Sequence, residues 1–253
     1  ILGLLSLNDE GKTCLTNILC GQSSIDYGRI YYNDELVDLD SEAPLPFAGR
    51  VVSVENKTKL TFSLSVADNI FVVRKGFRKY LINRRVLREQ AGRIFAEFGI
   101  DIDPGASAMT LSPLECGLVE LVKGYATGAR LIILNNLSSY LSTLDLNRFH
   151  QLVFQLKEKG ISFLYIDNDP DVIFKVCDRL FIMREGRNVR TFKKGECDEQ
   201  TALTILTGRV DERESSHKSH WEEAKVLVFN NVSARYLQNI SFVLRRGEVV
   251  SIL

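Results

Sequence analysis

The stretch Ser6-Leu7-Asn8-Asp9-Glu10-Gly11-Lys12-Thr13, SLNDEGKT, decides how this chain is read. It follows the apolar run Ile1-Leu2-Gly3-Leu4-Leu5 and precedes Cys14-Leu15-Thr16-Asn17-Ile18-Leu19. An apolar run, a polar turn and a helical pattern predict a strand, a loop and a helix. Gly11-Lys12-Thr13 are the last three positions of a phosphate-binding loop of the form G-x-x-x-x-G-K-[ST]. In such a loop backbone N–H groups wrap the phosphates, the lysine reaches the terminal ones and the hydroxyl ligates Mg²⁺. The positive end of the following helix adds to the grip. On this reading Ser6, Asn8, Glu10, Gly11, Lys12, Thr13 and Cys14 are the nucleotide-binding residues. Ser6 stands where the pattern has its first glycine. The same residues fit a plain helix start capped by Asn8 or Asp9, and the loop by itself leaves both readings open.

The rest of the composition narrows the class. The 253 residues suffice for one large domain or two small ones, with 45% hydrophobic and 25% charged residues, as in ordinary globular proteins. Lys+Arg and Asp+Glu are both 32, which argues against a strongly basic nucleic-acid binder. The five cysteines, Cys14, Cys20, Cys116, Cys177 and Cys197, form no C-x-x-C pair, so neither a zinc site nor a disulfide framework is expected, and a reducing setting fits. No apolar run is long enough to span a membrane. Residue 1 is not Met, no signal peptide is visible, and the chain reads as a segment of a longer one.

Along the chain, short apolar runs alternate with helical patterns. Strands are expected at Ile30-Tyr31-Tyr32, Arg50 to Val54, Leu131 to Leu134, Ile161 to Ile166 and Leu180 to Met183. Helices are expected from Leu15, from Ser65 to Phe71, over Asn83 to Phe98, from Pro113 with Ser112 as cap, over Leu144 to Lys159, and over Pro170 to Cys177. This alternation argues for a parallel α/β sheet. A helix-rich stretch of about residues 66–128 interrupts it and reads as an inserted helical subdomain. Residues 211–225 are charged and polar and read as a linker. Strands resume at Val226 to Phe229, Ile240 to Leu244 and Val249 to Leu253, with turns at Asn230-Asn231 and Arg245 to Glu248. Tyr31, Tyr32, Phe95, Phe98 and Phe149 are expected in the core, and Cys116 as packing. The basic residues Lys75, Arg78, Lys79, Arg84, Arg85 and Arg88 read as a solvated face, and His217 and His220 as solvated linker histidines.

The order and spacing of several segments resemble a known family. These are the loop with Gly28-Arg29-Ile30 after it, LSVADNIF (Leu64 to Phe71), LSPLECGLVELVKG (Leu111 to Gly124), LIILNNLSSYLS (Leu131 to Ser142) and FLYIDNDPDVIFKVCDRLFIMREGR (Phe163 to Arg187). In this order they resemble the ATP-binding subunit of ATP-binding-cassette (ABC) importers, of the tandem-cassette type that serves monosaccharide uptake. The resemblance implies an α/β P-loop NTPase cassette over 1–210 with a mostly parallel sheet. The linker would follow, then the opening β strands of a second cassette over 226–253. It implies ATP and Mg²⁺ as ligands and transmembrane permease subunits as partners, with an extracytoplasmic sugar-binding protein acting indirectly. It further implies cassette–cassette dimerisation, no nucleic acid, and a peripheral place on the cytoplasmic face of the plasma membrane. Residues 57–71 would lie near the permease contact.

The resemblance also assigns departures. Asn135 stands at the family's metal-holding Asp, Asn136 at its general-base Glu, Asn168 at its switch His and Asn56 at its metal- and water-linking Gln. An amide keeps polarity but accepts no proton at neutral pH, and loss of a general base alone costs about 10² to 10⁴-fold in rate. Metal would rest on Thr13 and, weakly, on Asn135. In the signature segment Leu111 and Ser112 match. Leu114 replaces a Gly, where its side chain is expected to crowd the approach to a partner's phosphate, and Glu115 replaces a Gln and adds charge. The first reading is therefore an importer's ATP-binding subunit with a weakly hydrolytic or non-hydrolytic cassette. The alternative is a catalytically inactive, ABC-like nucleotide-binding or regulatory protein. An unrelated P-loop NTPase fits the ordered segments poorly.

Overall fold

The apolar run at the start forms strand β1 (Leu2–Leu5), and the polar residues after it already lie in helix α1 (Asp9–Leu19). The helix begins before the Leu15 expected from the sequence, because Gly11 to Cys14 form its first turns without an apolar signal. The computed structural model describes residues 1–6, 9–25, 27–32, 35–37, 48–71, 83–207, 225–234 and 237–245. Strands β2 (Tyr31–Tyr32) and β3 (Glu35–Leu36) form a small antiparallel pair. Then come β4 (Val51–Glu55), α2 (Val66–Phe71), α3 (Arg84–Phe98) and α4 (Pro113–Ala126). Next are β5 (Leu131–Asn135), α5 (Thr143–Glu158), β6 (Ser162–Asp167) and α6 (Pro170–Val176). The hairpin β7 (Arg179–Arg184) and β8 (Arg187–Lys193) and helix α7 (Glu199–Thr207) follow. The chain divides into two compact units, Ile1–Arg209 and Val210–Leu253.

Six strands of the first unit form one sheet, in the order β4-β5-β6-β1-β7-β8. Every pairing is parallel except that of β7 with β8, so the expected α/β fold with a mostly parallel sheet is observed. The β7–β8 turn places Glu185 and Gly186 at φ 51° and 72°, the left-handed pair that a tight hairpin of native twist requires. The run Leu131 to Leu134 is the central strand its apolar content predicts. Ile132 and Leu134 enter the large core with α4 and α5, while Ile133 packs with Leu4, Ile166, Met183 and, from α1, Leu15 and Leu19.

The helix ends follow local chemistry. Asn83, Ser112, Ser142 and Asp169 each accept a backbone N–H at the starts of α3, α4, α5 and α6, and Gly99 ends α3 in the left-handed region at φ 66°. Phe95, Phe98 and Phe149 are buried as expected, and so is Cys116. Tyr31 is not in the core: it is 61% exposed, because β2 is two residues long and pairs only with β3. Arg84, Arg85 and Arg88 are exposed on α3, whereas Lys75, Arg78, Lys79 and most of the 211–225 stretch lie outside the described residues. In the second unit, β9 (Lys225–Ala234) and β10 (Leu237–Arg245) pair antiparallel. The turn expected at Asn230-Asn231 is instead interior to β9. The register shifts between Val232 and Phe229, so the two asparagines sit at an irregularity that the strand absorbs. Residues 249–253 lie outside the described residues.

Candidate functional site

Parallel strands gather their carboxyl ends on one edge, and loops leaving that edge form the crevice in which ligands of open α/β sheets bind. Here β1 lies between β6 and β7, with Leu5 opposite Asp167 on one side and Ile182 on the other. Asn135 lies opposite Ile166 and Glu55. The register therefore brings Ser6, Glu55, Asn135, Asn136, Asp167 and Asn168 to one edge, although they are scattered along the sequence.

Lys12 is a buried cation at this edge. Its side chain is 5% exposed. The ammonium donates to the Ser6 carbonyl at 3.2 Å and to Asn168 Oδ1 at 2.6 Å. It thus spans from α1 across the end of β1 to the loop after β6. Gly11 permits this by close approach: a Cβ there would stand 3.0 Å from Met183 Cε and 3.3 Å from the Gly186 backbone. Thr13 and Cys14 are exposed. Asn8 lies outside the described residues, and the side chain of Glu10 is likewise not described.

The asparagines that follow the strands have separate structural reasons. Asn136 adopts φ 54° and ψ 46°, a left-handed conformation that asparagine tolerates better than most residues. Its N–H donates to the Ile166 carbonyl at 2.7 Å, and its own carbonyl accepts from Ser139 Oγ at 2.7 Å. Asn135 is half-buried at the end of β5, and Asn56 is exposed just past the end of β4.

Three polar residues that the sequence reading did not single out hold these loops. Asp167, 1% exposed, accepts from Ser138 N at 3.1 Å, from Ser138 Oγ at 2.5 Å and from Asp169 N at 3.0 Å. One buried carboxylate thereby ties the loop after Asn136 to the loop after Asn168. Glu120, 4% exposed on α4, accepts from Thr58 Oγ1 at 2.8 Å and from Lys59 N at 2.6 Å. It fixes the loop that carries Asn56. Burial pushes the Glu120 carboxyl above its ordinary range, opposed by those two hydrogen bonds and by the charges of Lys59 and Lys123. Lys59 also pairs with Glu55 Oε1 at 2.8 Å and donates to Ser53 Oγ. Asn69 on α2 closes the next turn, accepting from Thr61 N at 2.7 Å and donating to the carbonyls of Thr61 and Ser65. The signal available in the sequence was a lone acid inside an apolar helix pattern, Val119-Glu120-Leu121-Val122, and an acid ending an apolar strand, Phe163 to Asp167.

The segment at the start of α4 is organised around its own cap. Ser112 Oγ accepts from Glu115 N at 3.3 Å, and Glu115 Oε2 accepts from Ser112 N at 2.7 Å, a reciprocal capping box. Leu111 is half-buried. Leu114 is 9% exposed and belongs to the large core. The helix turns its side chain toward that core. The charge of Glu115 is at the helix start, as its position in the sequence suggests.

For magnesium the donor set is thin. Thr13 and Asn135 offer neutral oxygens, and the neighbouring Glu55 is engaged by Lys59. Among the described residues no group of three or more His, Cys, Asp or Glu side chains could hold a metal ion. A hard dication prefers anionic oxygens, so Thr13 and Asn135 by themselves would hold magnesium weakly.

No family model matches the chain. Curated proteins match it along its whole length. It is 26% identical over 255 residues to the "Ribose import ATP-binding protein RbsA" of Clostridium perfringens, covering 100% of this chain and 51% of that protein. It is 29% identical over 252 residues to the "Galactose/methyl galactoside import ATP-binding protein MglA" of Vibrio cholerae, covering 98% of this chain and 50% of that protein. The chain thus spans about half the length of the curated relatives it matches. Among solved structures it resembles the ADP conformation of an ATP-binding cassette of an ABC transporter, with TM-score 0.65, 19% identity, and coverage of 82% of this chain and 84% of that one. The chain accordingly has, over most of its length, the α/β P-loop fold of an ATP-binding cassette, and it is similar to the ATP-binding proteins of ribose and galactose importers.

Proposed function

We propose that this chain binds the phosphates of ATP at the edge that carries Lys12, as part of the ATP-binding subunit of a monosaccharide importer, and that its own cassette hydrolyses ATP very slowly or not at all. The observation that carries the binding half is the buried Lys12 ammonium, held over the end of β1 between the Ser6 carbonyl and Asn168. A cation fixed at a helix start beside a strand end is the arrangement that grips phosphate. Gly11, Lys12 and Thr13 would make the grip, with Ser6, Asn8, Glu10 and Cys14 lining it.

The non-hydrolytic half rests on Asn135, Asn136 and Asn168. Phosphoryl transfer to water needs an oriented water and neutralised charge on the phosphates. A magnesium ion bound with the nucleotide would supply part of that charge. Asn135 offers it a neutral oxygen where a carboxylate would bind it, and Asn136 cannot take the proton of an attacking water. Asn136 also spends its backbone on the turn after β5.

In the same proposal the segment of about residues 66–128 acts as a helical subdomain, and residues 226–253 open a second cassette. The partners are transmembrane permease subunits near residues 57–71, an extracytoplasmic sugar-binding protein reached through them, and a second cassette. The protein would sit peripherally on the cytoplasmic face of the membrane. Among the described residues no helix is long and apolar enough to cross one.

The test is an equilibrium titration of the full chain with a fluorescent ATP analogue, with Mg²⁺ and with EDTA, beside Lys12→Ala. Weak binding that is lost in Lys12→Ala and nearly independent of Mg²⁺ supports the reading. Binding that Lys12→Ala leaves unchanged contradicts it.

A further inference from the structure

The contact between Lys12 and Asn168 has a consequence for affinity. Phosphate oxygens need the Lys12 ammonium, yet that ammonium is already engaged. It donates to Asn168 Oδ1 at 2.6 Å and to the Ser6 carbonyl at 3.2 Å. An ammonium has three donors, and these two acceptors lie at the start of the phosphate loop and on the loop across from it. The shorter bond runs from a charged donor to a carboxamide oxygen, a class of hydrogen bond stronger than a neutral pair. Lys12 is 156 residues away from Asn168 in sequence, so the bond is a tertiary contact that a ligand can replace.

We infer that Asn168 is an internal competitor for Lys12: its carboxamide oxygen holds the ammonium in the empty site, and a bound phosphate competes with it for that donor. The inference rests on the phosphate-binding reading above. It assigns Asn168 the opposite sign from a residue that donates to phosphate. A donor lost by mutation weakens binding, whereas a competitor lost by mutation strengthens it. Asn168 is neutral, so the latch leaves the positive charge in place for phosphate. An aspartate at the same position would hold the ammonium harder and repel the ligand.

The experiment compares the full chain with Asn168→Ala, Asn168→Asp and Lys12→Ala, using a fluorescent ATP analogue, and follows the Lys12 ammonium by ¹H–¹⁵N NMR without nucleotide. A single charge-assisted hydrogen bond released from competition predicts binding about tenfold tighter in Asn168→Ala. Asn168→Asp should bind more weakly than the parent. In the empty protein the Lys12 ammonium should be protected from exchange, and Asn168→Ala should remove that protection. Binding in Asn168→Ala that is equal to or weaker than the parent overturns the inference, and so does tighter binding in Asn168→Asp. Ammonium protection unchanged in Asn168→Ala overturns the latch itself. If protection is lost but no variant shows nucleotide binding sensitive to Lys12→Ala, the phosphate-binding reading fails and the competition with it, while the contact stands. The NMR readout tells the two failures apart.

Discussion

Glu120 offers a test of how the site is held, because both of its hydrogen bonds end on one oxygen. Thr58 Oγ1 at 2.8 Å and Lys59 N at 2.6 Å both donate to Oε1. Glu120→Ala removes the acceptor from an almost fully buried position. A buried donor left without a partner costs about 1–3 kcal/mol, and hydrogen bonds to charged groups contribute about 1.5–3 kcal/mol. Thr58 is half-buried and can turn its hydroxyl to water, so the loss expected for Glu120→Ala is about 2–4 kcal/mol rather than the sum of two full bonds. Glu120→Gln keeps an oxygen at Oε1 and relieves the burial of a charge, so it should cost less than about 1 kcal/mol. The two variants should also separate with pH. The folded carboxyl lies above its ordinary 4.5, so the folded state binds the proton more tightly than the unfolded state does. Its contribution is present below 4.5 and is lost as pH rises through the folded value. The stability of the parent relative to Glu120→Gln should therefore fall as pH rises across that window. Urea denaturation followed by circular dichroism measures both effects, and amide exchange at Lys59 reports on the loop directly. A Glu120→Gln variant as damaged as Glu120→Ala would refute the reasoning, since the acceptor's position would then matter less than its charge.

Other consequences follow from the same geometry. His150 Nε2 lies 2.9 Å from Tyr165 OH in the core, and burial, aided by the charge of Lys175 and opposed by Asp167, lowers its pKa from 6.5 to about 4. Its neutral form is favoured by folding, so stability should decline by about 2–3 kcal/mol as pH falls from 6.5 toward 4. His150→Gln should flatten that part of a denaturation series, and parallel curves would contradict it. Gly3→Ala would place a Cβ 2.6 Å from Ile173 Cγ2 and 2.9 Å from Cys177 Sγ. It should cost about 1–3 kcal/mol in thermal or urea unfolding by forcing α6 away from β1. Ser112→Ala breaks the capping box of α4 and should cost about 1 kcal/mol in the same assay.

The frame of the sheet was legible because its strands are apolar on both faces. Leu131 to Leu134 and Phe163 to Ile166 could be placed from composition alone, and the helices were marked by Asn83, Ser112, Pro113 and Pro170. Elements set by tertiary partners were harder. The first turns of α1 are polar and are shaped by Gly11 against Met183 and Gly186. Asn230-Asn231 reads locally as a turn, but pairing with β10 carries the strand through it. Of the site, the loop residues Gly11, Lys12 and Thr13 were visible as a pattern. Nothing in the sequence showed that Lys12 bonds to Asn168, 156 residues away, because only the register of β1 against β6 creates that contact. Asp167 and Glu120 were not singled out, because in the sequence each is one acid beside an apolar run. Their roles appear once the loops they hold are placed beside them. The burial of Leu114 likewise depends on how α4 turns its apolar face into the core.

The central claim is that this cassette grips phosphate without efficient hydrolysis. The measurement that bears on it most directly is single-turnover hydrolysis of ATP by the full chain at saturating nucleotide with Mg²⁺, beside Lys12→Ala. Phosphate release no faster than in Lys12→Ala, from a chain that binds the nucleotide, is the expected result. Turnover that Lys12→Ala abolishes would contradict it.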